Sequence, residues 1–193
     1  MSRKKHKTLE FQVIAGILKG SRIVVPDLGI TRPPLTRLRR AIFDFLGPYL
    51  DGAKYLDLFS GTGSYLFEAV SRGAATAVGI EQEPQLAMAI NAMAKQYGVD
   101  KKLFCRCENV FDSVKRLALN NELYDIIMMA PPQYQGLIDK TLSILGENPL
   151  SAKEGIIICQ HDTSETKKIK FHDFPILQQR KYGNTTFSVL GQK

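Results

Sequence analysis

The chain has 193 residues, 44% of them hydrophobic and 23% charged, which fits one globular soluble domain with a sizeable core. No apolar run approaches the roughly 20 residues of a membrane helix, and the start MSRKKHK leads into no long apolar segment, so no signal peptide and a cytoplasmic protein are expected. The net charge of +7 is segregated: residues 1–40 carry ten Lys or Arg against Glu10 and Asp27, a net of +8, and the remainder nets −1.

A basic block confined to one end reads as an electrostatic footprint for a polyanion, nucleic acid above all. It begins at Arg3, Lys4 and Lys5 and resumes at Arg32, Arg37, Arg39 and Arg40. Between them, FQVIAGILKGSRIVVP predicts two short strands around a Gly-containing turn. LGITRPP predicts a loop, because Arg32 and Pro33 each precede a proline and are pushed from helical angles. A helix follows, with Leu35, Leu38, Ile42, Phe45 and Leu46 on one face, and Gly47-Pro48 is expected to stop it.

From Lys54 the rhythm changes. KYLDLF, TAVGIE, LFCRC, DIIMMA and GIIICQ are short apolar strands, alternating with helical patterns such as SYLFEAVSRG and PQLAMAINAMAKQYG. Continuous apolar strands separated by helices predict a doubly wound α/β sheet of buried parallel strands. FPILQQRKYGNTTFSVLG then predicts an antiparallel hairpin turning near Gly183-Asn184. The expected division is a basic extension over residues 1–50 and an α/β domain over 51–193. Cys105, Cys107 and Cys159 form no C-x-x-C pair and read as reduced, buried thiols. His6, His161 and His172 stand apart from other ligand types, so no metal site is expected.

DLFSGTG ends the first of these strands and opens a helix. Asp57, Phe59, Ser60, Gly61, Thr62 and Gly63 form a tight turn whose backbone a ligand can approach, with helix N–H groups facing the same space. The next strand ends in Glu81-Gln82, and a carboxylate at that tip suits a ribose. A dinucleotide fingerprint requires a third glycine where Leu66 stands. Its absence favours a nucleoside without a diphosphate, and S-adenosylmethionine meets that description.

VIAGILKGSRI, TRPPLTRLRRAIFDFLGPYL, LDLFSGTGSYLFEAVSRGA, Ile80-Glu81 and the Ala130-Pro131-Pro132 tip together resemble the bacterial small-subunit rRNA guanine-N2 methyltransferases. The resemblance spans about Phe11 to Leu190. It implies a class I S-adenosylmethionine-dependent methyltransferase fold and methyl transfer to a guanine N2 in 16S rRNA. The expected partner is ribosomal RNA or the small ribosomal subunit, and the protein is expected to act as a monomer without metal. By position, Gly61 and Gly63 would line the methionine part of the cofactor, Asp57 would order the loop and Glu81 would hold the ribose. Asn109 would meet the adenine amine and Val110 would offer its N–H to the ring. Arg32, Arg37 and Arg39 would fall on the segment that meets RNA, and Arg40 adds its charge there.

The acceptor half departs from the family. Its Asp/Asn-Pro-Pro-Phe/Tyr motif reads Ala130-Pro131-Pro132-Gln133 here, followed by Tyr134, and acids of the family are replaced by Thr36 and Arg40. A guanine amine is a poor nucleophile because its lone pair is delocalised, and a side-chain oxygen accepting its hydrogen bond helps free that pair. Two other readings therefore stand beside the first: an impaired relative that binds RNA and cofactor, and an adenine-N6 methyltransferase.

Overall fold

The computed structural model describes residues 7–31 and 35–193. Arg3, Lys4, Lys5 and Arg32, expected to contact RNA, lie outside them. β1 (Thr8–Gln12) and β2 (Arg22–Pro26) form the expected antiparallel hairpin, with Thr8 opposite Pro26 and Gln12 opposite Arg22. Alternation sends Phe11, Ile23 and Val25 into the core. The turn between the strands leans on α2 (Ser64–Ser71), where a Cβ on Gly16 would stand 1.7 Å from the Ser71 carbonyl oxygen. Only glycine allows that approach.

α1 (Thr36–Leu50) runs past Gly47-Pro48, which was expected to end it. Pro48 removes only the N–H that would bond Asp44, whose carbonyl lies on the exposed side of the last turn. Burial of Leu50, 1% exposed, supplies the compensation, about 1.5–3 kcal/mol for such a side chain.

The remaining strands make one seven-stranded sheet in the order β5-β4-β3-β6-β7-β9-β8. β3 (Lys54–Asp57), β4 (Thr76–Glu81), β5 (Leu103–Cys107), β6 (Tyr124–Met129) and β7 (Ser151–Asp162) are parallel. β8 (Ile176–Tyr182) and β9 (Thr185–Leu190) are the antiparallel hairpin, with β9 inserted between β7 and β8. α1, α2 and α3 (Pro84–Gln96) cover one face in a cluster that includes Phe43, Tyr55, Leu66 and Phe187. α4 (Val110–Leu119) and α5 (Leu137–Glu147) cover the other, around Ile127, Leu142 and Ile157. The hairpin and α1 share the first cluster, so the basic extension packs into the same core as the sheet.

Cys105 and Cys159 are buried thiols as expected, but Cys107 is exposed. It ends the edge strand β5, where the helical cover gives out. Among the described residues no group of His, Cys, Asp or Glu is arranged to hold a metal, and no helix is long and apolar enough to cross a membrane.

Candidate active site

Because β3 to β7 are parallel, their carboxyl ends share one edge of the sheet, and helices begin just beyond it. That edge is where ligands settle in open α/β sheets. It gathers Asp57–Gly63 after β3, Glu81-Gln82 at β4, Asn109-Val110 after β5 and Ala130–Tyr134 after β6.

Asp57 is fully buried; its Oδ1 accepts the Phe59 N–H at 3.2 Å and its Oδ2 has no partner. Burial raises its carboxyl to about 7, the Phe59 bond opposes this, and the charge of Glu81 adds to it. The turn is closed by Gly63 N–H to the Ser60 carbonyl at 2.7 Å, with the Ser60 hydroxyl on the Asp57 carbonyl at 3.2 Å. Gly63 has φ +77°, and a Cβ there would stand 2.8 Å from Ile90 Cγ1 on α3. Its bare α-carbon therefore serves both the turn and the packing of the two helices. Ser60 and Thr62 are buried within the turn and Phe59 is half-buried.

Glu81 ties the neighbouring tips together. Its Oε2 accepts the Gly61 N–H at 2.7 Å and its Oε1 accepts the Glu83 N–H at 2.9 Å. Burial raises its carboxyl and those backbone bonds pull it back. One lone pair on each oxygen stays available to hydroxyl donors. Gln82 is exposed beside it. Asn109 caps α4, its Oδ1 accepting the Phe111 N–H at 2.9 Å, which leaves its amide nitrogen and the first N–H groups of the helix facing the same edge. The residues suit S-adenosylmethionine, whose sulfonium and ribose hydroxyls call for negative charge and acceptors: Asp57 offers a buried carboxyl with an unmet oxygen and Glu81 a second carboxylate.

On the acceptor side, Ala130 is half-buried and Pro131 buried, while Pro132 and Gln133 are exposed. Tyr134 adopts φ +62°, and its N–H is held by Glu165 Oε1 at 3.0 Å from the loop after β7. A hydrogen bond to Asp162 raises its phenol, and its side chain is 66% exposed. A cavity of about 230 Å³ opens between Pro131, Pro132, Gln133, Tyr134, Gln160 and Glu165.

Two polar side chains at this edge were not singled out in the sequence. Tyr65, on the first turn of α2, donates its hydroxyl hydrogen to Gln160 Oε1 at the tip of β7. The available signal was a glutamine ending the apolar run GIIIC.

Arg39 is a correction. It was expected to face RNA but is 1% exposed, with its Nη2 donating to the Gln12 carbonyl and its Nε 3.7 Å from Glu68 Oε2. Glu68, fully buried on α2, also accepts the N–H groups of Ile14 at 3.0 Å and Ala15 at 3.2 Å and the Arg72 Nε at 2.7 Å. Arg39 thus locks α1 and the hairpin onto α2. Arg37 and Arg40 remain exposed.

The strand order, the terminal hairpin and the glycine turn facing an acidic strand tip define a class I S-adenosylmethionine-dependent methyltransferase. Within that class the chain belongs to the family described as Conserved hypothetical protein 95, which it matches over residues 11–191. It is 28% identical over 160 residues to Ribosomal RNA small subunit methyltransferase D of Buchnera aphidicola, covering 83% of this chain and 82% of that protein. The solved structure of yhhF from Escherichia coli superposes with a TM-score of 0.83 at 21% identity, over 95% of this chain and 98% of the other. That of the T. thermophilus 16S rRNA N2 G1207 methyltransferase, in complex with AdoMet and guanosine, superposes with a TM-score of 0.74 at 15% identity, over 97% and 50%.

Proposed function

We propose that this enzyme methylates the exocyclic N2 of a guanine in 16S ribosomal RNA and acts as a monomer without metal. The observation that carries the reading is the acidic cradle of Asp57 and Glu81 around the glycine turn, in a chain whose relative is a ribosomal RNA small subunit methyltransferase D. Bound there, S-adenosylmethionine supplies a sulfonium methyl to a nitrogen lone pair, the S–C electron pair remaining on sulfur and one proton passing from nitrogen to water.

The chain's own residues bind and orient. Glu81 accepts the ribose hydroxyls, Asp57 and the backbone of Gly61 to Gly63 hold the methionine end, and Asn109 with the Val110 N–H meets the adenine. Pro131 and Pro132 stiffen the tip against which the base settles, since neither has an N–H or a free φ. Residues 1–50 form the RNA-contacting extension, with Arg37 and Arg40 facing phosphates and Arg3, Lys4, Lys5 and Arg32 extending the basic block. Cytoplasmic residence follows from that substrate.

The test is methylation of small ribosomal subunits, and of naked 16S rRNA, from cells lacking the enzyme, with nucleoside analysis of the product. N2-methylguanosine that appears with the wild type and vanishes with Glu81→Ala supports the proposal; N6-methyladenosine, or no product, refutes it. Ala130 favours a second reading, a binding protein without turnover. Salt-sensitive RNA binding without methylation by the wild type or by Ala130→Asp would select it.

A further inference from the structure

Ala130 has no side-chain acceptor, but a polar side chain stands beside it on the adjacent strand. β6 and β7 run parallel in a register that pairs Met128 with Ile158 and Met129 with Cys159, so the next pair is Ala130 and Gln160. Neighbouring strands stand about 4.8 Å apart, which places the two α-carbons side by side at the tip.

Both residues face the same side of the sheet. Ala130 packs on the cluster that contains Tyr65 and Phe187, and Gln160 lies opposite Phe187 on β9. Gln160 also lines the cavity that Pro131 and Pro132 border. Its Oε1 accepts the Tyr65 hydroxyl, and its amide nitrogen makes no hydrogen bond to any described residue. An oxygen lone pair and two N–H groups therefore stay available beside Ala130.

Tyr65 has the properties of an orienting partner. It lies two residues after Gly63 and is 4% exposed, and burial keeps its phenol protonated, well above the usual range. It is thus a permanent donor that fixes the Gln160 oxygen and ties the cofactor turn to the acceptor tip.

We infer that Gln160, positioned by Tyr65, supplies the hydrogen-bond acceptor for the substrate's exocyclic amine in place of the side chain missing at position 130. The inference rests on the guanine-N2 reading above and adds a catalytic residue to it. The guanine edge at this nitrogen offers an N2–H donor next to the N3 acceptor, and a carboxamide matches both at once. Gln160 takes no proton in the reaction; it accepts a hydrogen bond from the amine while that amine's surplus proton goes to water.

The experiment compares guanosine with inosine, which lacks only the N2 amine, by NMR titration of the protein saturated with S-adenosylhomocysteine. It also measures methyl transfer and cofactor affinity. The wild type should prefer guanosine by about two- to tenfold, the worth of one net hydrogen bond, and Gln160→Ala should lose the preference. Its kcat should fall by on the order of 10²-fold, the cost of one preorganised polar group, with cofactor affinity unchanged. Tyr65→Phe should lower kcat less and leave KM in place, as expected for a positioning residue. Adding Ala130→Asn to Gln160→Ala should recover at least tenfold of the lost rate. A folded, cofactor-binding Gln160→Ala that keeps both the preference and the rate would overturn the inference alone, as would a wild type that transfers methyl but treats the two nucleosides alike. A wild type that takes up no S-adenosylhomocysteine and methylates no rRNA overturns the guanine-N2 reading, and the inference with it.

Discussion

Replacing Asp57 by Asn should stabilise the free protein, and increasingly so as the pH rises. Asp57 is fully buried, with one oxygen bonded to the Phe59 N–H and the other unmet, and its carboxyl sits at about 7 instead of 3.8. A carboxyl raised on folding contributes stability below its unfolded value and loses it as the pH climbs through the folded one. The window therefore runs from about pH 4 to pH 7. At about 1.36 kcal/mol per pH unit, the native state loses on the order of 2–3 kcal/mol between pH 5 and pH 8 through this group. Asn keeps an oxygen for the Phe59 N–H and does not titrate, so its advantage over the wild type should grow by that amount. For a domain of this size, that corresponds to a relative rise of about 5–10 °C in Tm. Thermal unfolding of both proteins without cofactor, at pH 5, 6, 7 and 8, measures it directly. Parallel Tm curves would mean that Asp57 titrates alike in the folded and unfolded chain, and the burial argument would fail.

Three further outcomes follow from the same geometry. Glu81→Gln keeps the side chain's size but removes the charge that receives hydroxyl donors, and calorimetry should show S-adenosylhomocysteine bound at least about tenfold more weakly. Glu68→Ala strands Arg39 in the core without its counter-charge, and urea denaturation should register a loss of about 3–5 kcal/mol; a loss under 1 kcal/mol would contradict the network. Arg37→Ala combined with Arg40→Ala should leave Tm unchanged, weaken RNA binding and flatten its logarithmic salt dependence by about one for each phosphate contact removed.

Much of the fold could be read from the chain because parallel strands buried on both faces need nearly continuous apolar runs. TAVGIE and DIIMMA announced themselves that way and became β4 and β6. The cofactor side was legible for a related reason: a turn that needs glycine and an acid at the next strand tip are local features of sequence. Arg39 was misplaced because the helical stripe was centred one residue off. Leu35, counted as inward, is 76% exposed, and the buried face keeps Leu38, Ile42 and Leu46 but widens to take in Arg39, Phe43 and Leu50. The clue was Glu68, a lone acid in the apolar helix SYLFEAVS, which cannot be buried without a cation. Pro48 misled in the opposite direction, since a proline in a final turn forfeits one hydrogen bond that water can replace.

The Tyr65–Gln160 pair was illegible for a different reason. Its two residues lie 95 positions apart, and their meeting depends on which strands are neighbours and in what register. A motif read along one strand treats the tip of that strand as the catalytic unit. In a parallel sheet, however, the substrate faces a row of tips about 4.8 Å apart, and a side chain from either neighbour reaches the same space. Loss of an acceptor at Ala130 removes one way of polarising an amine without removing the place where it is done. The cofactor half has less freedom, because Asp57, Gly61 and Glu81 each bond a backbone N–H or supply one, so a substitution there alters the turn itself. Such a site admits exchange of acceptor groups between strands while its cofactor turn is held constant by its own hydrogen bonds.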